Sequence, residues 1–194
     1  MRYALSATIA GALMLAGCGH SPATTFLTID PAPPPAPPAS YRGAPLRVPF
    51  VHVPVTLDRP EYVSQPSAGT LKVADFARWS APLGRLARDT LIRDLTQRLA
   101  AGAVLAPDAA PTKPETVVQA TVLDFTPARS GPGSGSGATA TMTVSFRVGP
   151  SPVPHVVQLQ APLAGDTPVD AARAWSALIG QLADRVVAEL PAPR

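Results

Sequence analysis

LRVPFVHVPVTLDRPEYVSQ (residues 46–65), LKVADFARWSAPL (71–83) and GRLARDTLIRDLTQRLAAG (84–102) follow one another in a chain of 194 residues. They read as a buried strand, a kinked Leu57-Asp58-Arg59-Pro60 corner, an Arg78-Trp79 pair and one long amphipathic helix. Leu83, Ala87, Leu91, Leu95 and Leu99 recur every four residues, with Ile92 beside them, which makes a stripe facing a core. Ser80 is placed to cap this helix, Pro82 to sit in its first turn and Gly102 to take the left-handed position after its end. Arg85–Asp89 and Asp89–Arg93 are i,i+4 pairs on the other side, each worth a few tenths of a kcal/mol.

Beyond residue 100 the period falls from 3.6 to 2. In the strand Thr116–Phe125, Val118, Ala120, Val122 and Asp124 share one face, and Val117, Gln119, Thr121, Leu123 and Phe125 the other. Ala138–Val148 alternates without a fault, with Ala138, Ala140, Met142, Val144, Phe146 and Val148 on one side and threonines, Ser145 and Arg147 opposite. Ser130–Gly137 (SGPGSGSG) closes the hairpin between them. Val156–Ala161 supplies a third strand. A last helix starts at Thr167 or Asp166 with Pro168 and Asp170 in its first turn. It buries Ala171, Trp175, Leu178, Leu182 and Val186 and stops before Pro191. The order β-β-α-β-β-β-α, with a short extra strand near Leu71–Val73, implies an α+β fold: two helices on one face of a mostly antiparallel sheet.

The N-terminal stretch reads differently. Met1–Gly17 has a thin positive start at Arg2 and an apolar run, Ala4–Leu15, too short to span a bilayer. It ends in Leu15-Ala16-Gly17-Cys18, which resembles the lipobox of bacterial lipoproteins; an ordinary signal peptide with an incidental cysteine is the other reading. Cys18 is the single cysteine, so neither an internal disulfide nor a cysteine-based zinc site can form. Phe26–Ile29 suits an edge strand. Pro31–Pro38 reads as a polyproline II spacer of about 25 Å. The expected organisation is a signal peptide (1–17), a lipidated proline-rich tether (18–45) and one α+β domain (46–194).

Chemistry is thinly represented. His20, His52 and His155 lack metal-ligand spacing, and Glu61, Glu115 and Glu189 form no sequence pair suited to a carboxylate dyad. The Gly-Ser loop matches neither a nucleotide-binding glycine pattern nor a nucleophile elbow. A net charge of +3, spread among acids, does not build the concentrated basic face that nucleic acid requires. No catalytic, cofactor or metal residue is assigned. What remains is Leu57, Asp58, Arg59, Pro60, Arg78 and Trp79. They either stabilise a corner and staple a helix entry, or they form a contact surface, since arginine and tryptophan are interface chemistry.

LDRPEYV (57–63), LKVADFARWSAPL and the leucine-patterned helix, together with the lipobox and the FLTI strand, resemble the PqiC family, auxiliary lipoproteins of ABC-type transport systems. The proline tract and the Gly-Ser loop depart from that pattern. The resemblance implies acylation at Cys18 and, with Gly19 rather than Asp after it, an outer-membrane lipoprotein on the periplasmic side. It implies an MCE-type (PqiB-like) membrane protein as partner, in a system that moves lipids between membranes and preserves envelope integrity. A symmetric partner would be matched by a homo-oligomer. A structural lipoprotein of envelope assembly and a periplasmic hydrolase are the alternatives.

Overall fold

The computed structural model describes residues 22–67, 69–128 and 138–191. Eight strands and two helices follow in order: β1 (Thr25–Leu27), β2 (Leu46–Arg47), β3 (Val51–His52), β4 (Glu61–Ser67), β5 (Thr70–Trp79), α1 (Leu83–Arg98), β6 (Thr116–Ala128), β7 (Thr139–Val148), β8 (His155–Pro162) and α2 (Pro168–Ala188). The fold is α+β, as the patterning predicts, but its strands divide between two sheets. β6, β7 and β8 form an antiparallel meander, and β2 and β3 add to β6 in parallel at successive levels. The smaller sheet has the order β1-β5-β4, with β1 parallel to β5 and β4–β5 a hairpin.

Three strand expectations are corrected. The stretch at 46–55 is no single strand. Leu46 pairs with Thr116 and Val51 with Ala120, so five residues advance against four, and Pro49, lacking an amide hydrogen, sits in the excess. The short strand near Leu71–Val73 is the start of a ten-residue strand running to Trp79. In β6 a register shift between Val122 and Asp124 exchanges the faces: Val118, Ala120 and Val122 are buried, but so is Phe125, while Leu123 is half-exposed. The alternation of β7 holds throughout, with Ala140, Met142, Val144 and Phe146 inward.

Both helices pack on each other, and their apolar stripes are buried as the spacing predicts. Trp175 on α2 lies against Phe125 with ring centroids 4.8 Å apart. α2 is locally encoded. Thr167 and Asp170 form a reciprocal capping box, and Pro168 takes the first position. The ends of α1 are not. Pro82 occupies the cap position, Ser80 does not cap it, and Asp58 Oδ1 accepts the Gly84 amide at 3.4 Å from outside the helix. At the other end Leu99 is already extended, because Ala39 pairs with it and the Ala39 amide donates to the Arg98 carbonyl at 2.7 Å. Gly102 has a φ of +81°, in a later turn rather than at the helix end.

The proline-rich stretch belongs to this core rather than preceding it. Leu27 and Ile29 are buried with the helices, and the residues after Ile29 lie across both as a strap. The Ile29 carbonyl accepts from Thr90 Oγ1 (2.7 Å) and Arg93 Nη2 (2.9 Å), so Arg93 turns to the strap instead of to Asp89. The Asp30 amide donates to Ser176 Oγ on α2. Within the stretch expected as a tether (18–45), residues 25–39 therefore pack with the helices and belong to the same core as the residues after 46.

Candidate functional site

The corner between β3 and β4 is a tight turn held by its own backbone. Pro54 carbonyl accepts the amides of Leu57 (2.8 Å) and Asp58 (3.1 Å), and Pro60 carbonyl accepts the Trp79 amide at 2.7 Å. That last bond docks the corner on the end of β5, so Leu57-Asp58-Arg59-Pro60 and Arg78-Trp79, some twenty residues apart in sequence, become one surface. Glu61 stands directly opposite Arg78 in the β4–β5 ladder. Its carboxylate lies 3.8 Å from Arg78 Nη2 and 4.0 Å from Arg59 Nε. Both distances exceed hydrogen-bond range, and both arginine side chains are about half-exposed, so these pairs hold the guanidinium groups only loosely.

The six residues take different roles. Trp79 is buried and meets Tyr62 edge-on at 6.3 Å. Burial pushes the Tyr62 phenol above its ordinary range. Leu57 is partly buried against the core. Asp58 serves the N terminus of α1, where a carboxylate complements the helix dipole. Arg59, Pro60 and Arg78 face solvent.

Patterning alone did not place Arg85, Arg88 and Phe50 here. They line a shallow depression with Asp58 and Gly84 that runs from the corner onto α1. Arg88 pairs closely with Asp89 (2.6 Å), and Arg85 approaches the same carboxylate at 3.9 Å. The long-range approach of Asp58 to Gly84, with Gly84 close against Val51, brings them to the corner. Gly84 is required there, since a Cβ would sit 2.7 Å from the Val51 carbonyl. The surface is thus an arginine-rich ridge with a half-exposed phenylalanine at its foot.

The described histidines and Glu115 have separate local neighbours. His52 lies beside Phe50, and His155 stacks on Phe146 with Nδ1 3.5 Å from Glu189. Glu115 accepts from Arg47 Nε at 2.8 Å, which holds its carboxyl below the ordinary range. Among the described residues no group of three metal-binding side chains converges. His20, Cys18 and the Ser130–Gly137 loop lie outside the described residues.

The family model for the ABC-type transport auxiliary lipoprotein component matches residues 27–187. The chain belongs to this family. The match begins at Leu27 and so takes in the strap, in keeping with its place in the core. Two solved structures share the fold of this auxiliary lipoprotein. One, described only as an uncharacterized protein, is 16% identical with a TM-score of 0.61 and covers 87% of this chain and 99% of its own. The other, protein XCC0632 from Xanthomonas campestris, is 18% identical with a TM-score of 0.61 and covers 86% and 93% respectively. No curated protein matches the sequence. Among the described residues no helix is long and apolar enough to cross a membrane.

Proposed function

We propose that this chain is an outer-membrane-anchored lipoprotein on the periplasmic side, acylated at Cys18, that serves as the auxiliary subunit of an MCE/ABC-type intermembrane lipid transport system. It works by binding, as a homo-oligomer, an MCE-type membrane protein. The Arg59–Arg78 ridge beside the corner is its contact surface, with Arg85, Arg88 and Phe50 extending it. The observation that carries this reading is the family match across nearly the whole described chain. The ridge supports the location, because solvent-facing arginine next to apolar surface is over-represented where proteins meet. A non-enzymatic role accords with His52, His155 and Glu115 being held apart, each by its own neighbours.

The test is co-purification of the full-length acylated protein, extracted in mild detergent, with an MCE-type protein of the same envelope. Recovery of that partner, reduced by salt, is the expected result. Recovery of the acylated protein with no MCE-type protein under low salt would overturn the proposal.

A further inference from the structure

On the side of β1, strand β5 is covered only at Ala77–Trp79, where Thr25–Leu27 pairs with it. Among the described residues, 71–76 have no strand neighbour on that side. A shallow groove of about 380 Å³ runs beside this open edge, lined by Thr25, Lys72, Val73, Phe76, Pro168 and Val169 among others. Val73, Phe76 and Val169 are 39%, 46% and 39% exposed, an apolar cluster for which the fold supplies no cover.

We propose that this face rests on the bilayer that anchors the protein. Val73, Phe76 and Val169 enter the boundary between headgroups and acyl chains, and Lys72 meets lipid phosphate. The inference rests on the acylation of Cys18 that the proposed function includes. Seven residues carry the chain from Cys18 to Thr25, a reach of about 25 Å at full extension. A domain of some 170 residues is about 40 Å across. The acyl anchor therefore cannot pass round to the far side, and the face carrying Thr25 is the one drawn to the membrane. That face also carries the exposed Val73, Phe76 and Val169, with Lys72 suited to anionic headgroups and Asp75 beside it in the groove lining. The opposite end of α2 lies well away. His155 reaches Glu189 there, and a helix of 21 residues is about 30 Å long.

The test uses the full-length protein with acylation verified by intact mass, reconstituted in phosphatidylethanolamine–phosphatidylglycerol vesicles. Val73→Cys, Phe76→Cys and, as a distant control, Val156→Cys each carry a polarity-sensitive fluorophore; the sulfur of an acylated Cys18 is a thioether and does not react. Unchanged thermal melting qualifies each variant, and Val169→Cys replaces either test site if one unfolds. The expected result is a blue shift at 73 and 76, with loss of emission when brominated lipid is included, and neither change at 156. Acylated, vesicle-bound protein without quenching at 73 and 76 would overturn this inference and leave the anchor intact. A blue shift without quenching would mean that a second copy or another protein covers the edge, and would overturn it too. A chain bearing no acyl mass would overturn the anchoring reading and this inference with it.

Discussion

The carboxylate of Asp94 accepts the backbone amide of Ala32 at 2.8 Å and so pins the N-terminal strap to α1. The same Oδ1 lies 3.2 Å from Arg98 Nη1, whose guanidinium also donates to the Ala32 carbonyl and, through Nε, to Asp184 on α2 at 2.6 Å. Strap, α1 and α2 thus meet at one buried polar knot. Asp94 is fully buried, and its Oδ2 has no hydrogen-bond partner among the described residues.

Burial raises the Asp94 carboxyl from an ordinary value of 3.8 to about 6, against the lowering pull of Arg98 and the Ala32 amide. The folded state therefore binds this proton more tightly than the unfolded chain does. Its contribution to stability is complete below about pH 4 and is lost as pH rises through about 6. Denaturation midpoints should fall across that window in the native protein, by an amount on the order of 3 kcal/mol. In Asp94→Asn the fall should flatten. Glu115 acts in the opposite sense: its lowered carboxyl stabilises above about pH 4.5 and loses that effect as pH falls, so it touches only the acid end of the Asp94 window. Identical pH profiles for both proteins would remove Asp94 as the source.

A chain beginning at Tyr41 should fail to fold cooperatively, whereas one beginning at Pro22 should fold. The shorter form loses the buried side chains of Leu27 and Ile29, each worth about 1.5–3 kcal/mol on burial. It also leaves Asp94 and Arg98 without their strap partners, stranding buried charge. Circular dichroism melts of the two forms decide the matter, and a sharp transition in the shorter one would return the strap to the status of a tether.

Gly180 on α2 is a close-approach position. A Cβ there would lie 2.5 Å from the Ala32 Cβ and 3.4 Å from Arg98 Nη2. Alanine improves helix propensity by about 1 kcal/mol, but displacing the strap and its hydrogen bonds costs about 1–3 kcal/mol. Gly180→Ala should therefore be no more stable than the native protein and should lose the sharp protection of the Ala32 amide in hydrogen exchange. A clear gain in stability with Ala32 still protected would show that the strap yields freely.

Arg59→Ala and Arg78→Ala should melt as the native protein does, since both side chains are half-exposed and only loosely paired. If the ridge is the contact surface, each should weaken capture of the proposed MCE-type partner, by on the order of tenfold or more for a residue at the centre of the contact. Trp79→Ala should instead lose about 3–5 kcal/mol of stability, as a buried ring removed from beside Tyr62. Pull-downs with melting temperatures separate the two effects. Native capture by both arginine variants would assign the corner to the fold alone.

The sequence by itself determined the elements that are written in local terms. The period of four from Leu83 to Leu99, the unbroken alternation of Ala138–Val148 and the helix start at Thr167, Pro168 and Asp170 need only neighbouring residues, and each appears where the pattern puts it. Tertiary structure decided whatever is satisfied from a distance. α1 is capped by Asp58 and ended by Ala39, so its boundary signals at Ser80 and Gly102 went unused. The faces of β6 turn on a single extra residue, which no alternation count registers. The proline tract looks like a spacer because proline cannot enter helix or sheet. Yet its carbonyls remain acceptors, its neighbours' amides remain donors, and Asp94 and Arg98 use both. For the same reason, the corner and the Arg78-Trp79 pair were legible as motifs while the surface they share was not. Joining them takes one hydrogen bond, Trp79 amide to Pro60 carbonyl, across a hairpin whose register local sequence leaves open.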